Sequence, residues 1–201
     1  MRNLTRKTSD AMKLYQQKSI YDSPWSFQQK VKMLFWEFTW TLLCSWTPKP
    51  LNKWRMFWLR LFGATLNGQP FIHQRARIQI PWNLTMHDRA CIGDRANVYS
   101  LGPVELGREC TVAQECYLCA GTHDFADTMF LMTAKITIGA RAFLGARTFV
   151  LPGVTVGDDC LIGACSVVTR DTPAGMVCAG NPAKVIRPRY PQGAPAVPAK
   201  D

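Results

Sequence analysis

The sequence predicts a mainly β chain: a parallel coil built from six-residue repeats, with α-helices before it and a capping segment after it. Three observations carry this. From Ile138 an apolar residue recurs every six positions, at Leu144, Val150, Val156, Ile162 and Val168; alternating strands would show a period of two and helices one of 3.6. The next residue is glycine at Gly139, Gly145, Gly157 and Gly163, and a small residue fills a fixed slot at Ala142, Thr148, Cys160 and Ser166. Charge and tryptophan are segregated as well. The first 62 residues hold 11 Lys and Arg against 3 acids, together with six of the seven Trp.

Residues 1–22 are polar and read as irregular. Ser23 followed by Pro24 offers a helix N-cap with proline at the first helical position. Phe27, Val31, Leu34, Phe35, Phe38 and Leu42 then recur at helical spacing until Thr47, ahead of Pro48 and Pro50. Trp54, Phe57, Trp58, Leu61 and Phe62 predict a second short helix that Gly63 stops. Residues 1–66 thus form a basic, Trp-rich helical segment. The coil follows over residues 67–173, its earlier units marked by Ile72, Ile78 and Leu84, by Ile92, Val98 and Val104, and by Leu106, Val112 and Leu118. Each phase break is two residues modulo six. The pattern implies one short flat strand per hexapeptide, three per turn, with the aliphatic residue pointing inward. The jump from Leu118 to Ile138 predicts an extruded loop at about 124–135, and residues 174–201 form a C-terminal cap and tail.

At 201 residues the chain buries one sizeable core. With 47% hydrophobic and 19% charged residues it is not a disordered chain. The eight Cys read as free thiols, since a chain this rich in core residues needs no disulfide staples. Cys116 and Cys119 form a CxxC, yet no second pair or suitably spaced His completes a metal site, and Cys110 and Cys116 fall in the repeat's small slot. The first 25 residues hold no apolar secretory core, which predicts a cytoplasmic protein. Met33 to Thr47 has Glu37 as its one charge but is too short to span a bilayer. Two readings of the aromatic segment stay open. Its side chains pack on the coil or a neighbouring subunit, or residues 25–62 make a peripheral contact with the inner face of the membrane, with Lys30, Lys32, Lys53, Arg55 and Arg60 toward anionic lipid. No recognition motif accompanies the basic charge, so nucleic acid is not an expected partner.

Five stretches carry a family resemblance: WRMFWLRLFGA (54–64), IPWNLTMHDRACIGDRANVYSLG (80–102), YLCAGTHDF (117–125), VLPGVTVGDDCLIGACSVVTRD (150–171) and AGNPAKVIR (179–187). Through them the chain resembles the hexapeptide-repeat acyltransferases, most of all the colanic acid and exopolysaccharide O-acetyltransferases. The resemblance implies a left-handed parallel β-helix and a homotrimer with active sites between subunits. It implies transfer of acetyl from acetyl-CoA to a hydroxyl of a sugar or lipid-linked oligosaccharide acceptor, without a metal. Such a reaction needs a base for the hydroxyl proton, donors for the oxyanion and a holder for the cofactor. By matching motifs, His123 is the catalytic histidine, oriented either by Asp124 or by a backbone carbonyl. Ala146, Ala164, Thr169, Arg170, Lys184 and Arg187 match cofactor positions, and Asn97, Tyr99 and Asp124 lie on the acceptor side. His73 and His87 read as structural, and the three His are not spaced as in the zinc-binding carbonic anhydrases that share this prism. Phe143 stands where many relatives have Trp, and the 127–134 loop is individual in sequence. N-acetylation of an amino sugar, O-acetylation of a small acceptor and a non-catalytic scaffold are the competing functions.

Overall fold

In a computed structural model, which describes residues 12–15, 17, 19, 22–126 and 128–190, the six-residue period becomes the wall of a three-faced parallel β-helix. The first face stacks Phe71–Ile72, Cys91–Ile92, Thr111–Val112, Phe143–Leu144, Leu161–Ile162 and Met176–Gly180. The second stacks Arg77–Ile78, Asn97–Tyr99, Tyr117–Cys119, Phe149–Val150 and Val167–Val168. The third stacks Thr65–Leu66, Leu84–Met86, Val104–Leu106, Ile136–Ile138 and Thr155–Val156. The repeat's aliphatic residue points inward throughout, and Ile72, Ile92, Val112, Leu144 and Ile162 form one wholly buried column. Cys110 and Cys116 fill the small slot, where burial pushes their thiols up to about 12 and about 11.

The phase breaks have a structural cause. On the third face, Leu84 and Met86, Val104 and Leu106, and Ile136 and Ile138 are two inward residues on one three-residue strand. The two extra residues lengthen the early coils, so Ile72 stacks on Ile92, whereas Leu144 later stacks on Ile162.

Two of the three corners turn on a left-handed residue that is not glycine. Between the third and first faces these are Arg89, Glu109, Arg141 and Asp159, and between the first and second Arg95, Glu115, Arg147 and Cys165, all at φ of 53–60°. Their side chains stack with alternating sign. Arg89 pairs with Glu109 at 2.5 Å, Arg141 with Asp159 at 2.5 Å, and Glu115 with both Arg147 (2.6 Å) and Arg95 (3.6 Å). Neighbouring coils therefore attract at the positions where backbone strain is concentrated.

Parallel pairing bonds each coil to the next, as where Phe71 N–H donates to Ala90 O (2.8 Å) and Gln79 N–H to Val98 O (3.0 Å). The outer edge of the first coil has carbonyls and amides that no strand meets, and its Ile72 N–H donates to Asn52 Oδ1 (3.0 Å). The N-terminal helices supply donors: α1 (Phe27–Thr39, continued by a π-helical turn Trp40–Cys44) and α2 (Asn52–Leu61). The indole of Trp36 donates to Ile78 O (2.7 Å) and that of Trp40 to Ala76 O (2.9 Å). Asn52 donates to Pro70 O (2.8 Å), Arg60 to Leu66 O (3.0 Å) and Arg55 to Ile72 O (2.9 Å).

Three expectations change here. α1 begins after Ser26, whose hydroxyl and amide pair with Gln29 in a capping box that displaces the Ser23–Pro24 start. Arg55 is fully buried and donates also to Thr47, Pro48 and Lys49, so it does not face lipid. The stripe headed by Phe27 is not the packing face; Trp36, Trp40 and Cys44 are. Arg55→Met keeps bulk but removes every donor, and is expected to lower stability in urea unfolding by about 2–4 kcal/mol because buried acceptors lose their partner.

Candidate functional site

Between Tyr117–Cys119 on the second face and Ile136–Ile138 on the third, the chain leaves the wall as an antiparallel hairpin. Gly121–His123 pairs with Leu131–Thr133, and Lys13–Leu14 adds a further strand in a segment the sequence reads as irregular. The extrusion thus begins before Asp124, and His123 ends the outgoing strand rather than sitting at a loop root. His123 is exposed, with Nδ1 2.9 Å from the carbonyl of Met129. A carbonyl oxygen only accepts, so Nδ1 carries a proton, and in the neutral ring the lone pair is the one on Nε2.

The turn that aims this carbonyl is built by Asp124. Its backbone oxygen accepts from Met129 N–H (2.8 Å), and its carboxylate accepts from Ala126 N–H (3.1 Å) and the Thr128 hydroxyl (3.3 Å). Met129 is held at φ +56°, a conformation costing about 1 kcal/mol or more for a residue with a side chain. Asp124 therefore acts on the imidazole through the turn and does not touch it. At the hairpin's foot Glu105 accepts from Lys135 (2.6 Å) and pairs with His87 Nε2 (3.0 Å), and these bonds, Lys135 first, hold its carboxyl below the usual range. His73 is buried against Asp94 at 3.1 Å, and burial lowers its affinity for a second proton. Both of these His are engaged by the wall.

The cofactor candidates divide between two corners. Ala146 and Ala164 stack one coil apart on the corner between the first and second faces, with Cys165 N–H donating to Ala146 O (2.9 Å). The approach is tight: a Cβ on Gly145 would stand 2.6 Å from Ala164 N, so only glycine fits. Lys184 and Arg187 lie on Ala183–Pro188, which returns antiparallel along Met176–Gly180. On a regular strand residues three apart face opposite ways. A bulge corrects this by placing Lys184 opposite Ala179 and Arg187 opposite Val177, on either side of the inward Cys178. Both are exposed, and neither forms an ion pair among the described residues. Thr169 and Arg170 lie instead on the corner between the second and third faces, from which the His123 hairpin also emerges.

The second face joins these corners. Asn97, Tyr117 and Phe149 occupy one register on it, and the rings of Tyr117 and Phe149 stack at 4.9 Å. The side-chain oxygen of Asn97 is buried without a partner, an unsatisfied acceptor on the face between the two groups. Tyr99 packs instead beside Ile80, Leu101 and Leu131, under the hairpin, and burial raises its hydroxyl pKa. The Met129 carbonyl and the Tyr117–Phe149 stack had no sequence signal beyond their place in the repeat and loop.

The six-repeat model of bacterial transferase hexapeptides matches residues 135–170. The chain is 42% identical over 160 residues to a protein of Escherichia coli strain K12 named for acetyl transfer in colanic acid biosynthesis, across 79% of this chain and 88% of that one. In fold it is similar to a hexapeptide-repeat acetyltransferase of Vibrio cholerae O1 biovar eltor solved with acetyl coenzyme A, with TM-score 0.74 and 17% identity over 84% of this chain and 93% of that one. A maltose O-acetyltransferase from Clostridium difficile 630 gives TM-score 0.70 and 22% identity over 81% and 89%.

The Glu105 pairs give a pH-dependent expectation. A carboxylate whose folded pKa is depressed contributes stability above its unfolded pKa and loses it as pH falls through the folded value. Glu105→Gln should lower the Tm at pH 7 by roughly 2–4 °C, what about 1 kcal/mol produces at this size. The gap from wild type should close as the pH is taken below the ordinary carboxylate range, read by thermal melts along a pH series.

Proposed function

The chain belongs to the hexapeptide-repeat acetyltransferase family, and from that premise we propose that it moves acetyl from acetyl-CoA to a sugar hydroxyl of an exopolysaccharide precursor of the colanic-acid type. Acetyl transfer rests on the close relative and the family; the sugar-polymer acceptor rests on that relative's name. The observation that carries the chemistry is His123, whose Nδ1 is committed to the Met129 carbonyl while the ring stands exposed. Nε2 takes the acceptor's hydroxyl proton as its oxygen bonds to the thioester carbon. The carbon–sulfur bond then breaks, and the proton passes from the imidazolium to the departing thiolate.

The other residues sort by what they offer. The Ala146–Ala164 corner presents backbone to the pantetheine arm, with Gly145 keeping the coils close. Lys184 and Arg187, on one face, suit the phosphates of coenzyme A, with Thr169 and Arg170 at the other corner of the last full coil. Asn97 offers its unpaired oxygen to an acceptor hydroxyl. The base and the small-residue corner lie on opposite edges of the second face. A homotrimer that sets one chain's hairpin against its neighbour's Ala146–Ala164 corner would complete the site, which supports the trimeric reading.

The test is thiol release from acetyl-CoA with a panel of nucleotide sugars, lipid-linked oligosaccharides and amino sugars. His123→Ala should lower turnover about 100- to 10,000-fold while coenzyme A still raises the Tm. Full activity in that variant would overturn the mechanism. Lys184→Ala and Arg187→Ala should each raise the KM for acetyl-CoA about 10-fold with little change in kcat, the loss of one charge-assisted contact.

A further inference from the structure

The helices that close the N-terminal end carry two apolar stripes each. Met33, Trp36, Trp40 and Cys44 of α1 and its π turn face the first coil and the adjoining apolar cluster. On the opposite side Phe27, Leu34, Phe35, Phe38 and Leu42 are 55–80% exposed. α2 repeats the arrangement, with Arg55, Met56 and Leu59 buried and Trp54, Phe57 and Leu61 outward. A surface helix ordinarily turns its polar side to water, whereas here large apolar side chains share the exposed side with Gln28, Gln29, Lys30, Lys53 and Arg60. Phe62, just past α2, packs on Trp36 and lines a groove with Phe27, Gln28, Val31, Lys32 and Phe35 beside the outer stripe of α1. Exposed apolar surface of this kind marks an interaction site.

A second observation says what covers it. The last four carbonyls of a helix have no amide partner within it, and at an exposed end water serves them. Here side chains do so. Thr41 O accepts from the Ser45 hydroxyl (2.8 Å), Leu42 O from the Trp46 indole (2.6 Å) and Leu43 O from the Trp54 indole (2.8 Å), while the buried Cys44 O accepts from both the hydroxyl (2.6 Å) and the amide (3.1 Å) of Thr47. Leu42 and Trp46 are 63% and 70% exposed, so an exposed turn has its backbone carbonyls met by side chains of the chain itself. That is the condition backbone must meet in hydrocarbon. The rim is cationic: Lys30, Lys49 and Lys53 are exposed and in no ion pair among the described residues, and Glu37 is the one acid in residues 25–62.

We propose that this end of the molecule docks on an anionic lipid bilayer, with the Leu42–Trp46 turn and the outer faces of α1 and α2 sunk into the headgroup and upper acyl layer. Rim lysines meet the anionic headgroups, whereas two copies brought face to face would oppose like charge, which places lipid ahead of a second copy. No described helix is long and apolar enough to cross a membrane, so the element lies in one leaflet.

Flotation of the full chain with vesicles of phosphatidylglycerol and phosphatidylcholine, against phosphatidylcholine alone, tests this. The wild type should float with the anionic vesicles, and 0.5 M salt should weaken that binding. Leu42→Asp and Phe38→Asp change outward side chains only; each should cut the bound fraction at least tenfold with unaltered circular dichroism and Tm. Lys30→Gln combined with Lys53→Gln should weaken binding to anionic vesicles several-fold and leave the weak binding to phosphatidylcholine unchanged. A wild type that stays unbound, or a Leu42→Asp variant that floats as well as wild type, overturns the proposal. A Leu42→Asp variant whose oligomeric state falls in size-exclusion chromatography, with no flotation of the wild type, assigns the surface to a second copy instead.

Discussion

Everything in this molecule is subordinate to the stacking of one coil's backbone on the next. Because parallel pairing bonds each coil to the next, inward residues must line up coil over coil. That requirement sets the six-residue period, the small residues beside the corners and the glycine at Gly145, where the next coil leaves no room for a Cβ. It also dictates the ends. A stack of coils begins with an unpaired edge, and carbonyls of the first coil are met there by two indoles, an amide and two guanidinium groups from the helical segment. The basic and tryptophan-rich composition of the first third is in part the chemistry of closing a solenoid.

The repeat was legible because stacking imposes a period that no other architecture shares, and the phase breaks were legible as numbers though not as geometry. Their cause, two inward residues on one third-face strand, appears only when Leu84 and Met86 are seen on the same side. The helices were legible and their orientation was not. Hydropathy ranks Phe27, Phe35 and Leu42 above Trp36, Trp40 and Cys44, yet the latter pack, because the coil end demands hydrogen-bond donors as well as apolar bulk and indole supplies both. The alternating charges at the corners are not legible in the sequence, since positions 20 apart (Arg89 and Glu109) or 32 apart (Glu115 and Arg147) become neighbours only through the coil.

At the candidate site the same division holds. His123 was found through its motif, but its partner is a backbone carbonyl, and no residue type announces a carbonyl. The turn that presents it depends on a methionine in the left-handed region, a conformation that its identity argues against. The Lys184 and Arg187 pair was read as lying near one end. What places them together is a bulge at Ile186, without which three-residue spacing would send them to opposite faces.

The end cap then meets two requirements with one set of residues. Its inner stripe must donate to the first coil, which fixes the helices across the open end of the coil stack and turns their outer stripes away from it. In water that outer surface would be polar, and the carbonyls of Leu42 and Leu43 would need nothing from Trp46 and Trp54. Indoles that close off carbonyls on an exposed turn have a purpose where water is absent. A chain that docks by this end holds its coil stack, and the His123 hairpin with it, at a set height above the bilayer surface. The solenoid's need for a donor-bearing cap thus fixes the inner stripe, and the outer stripe is left to meet the bilayer.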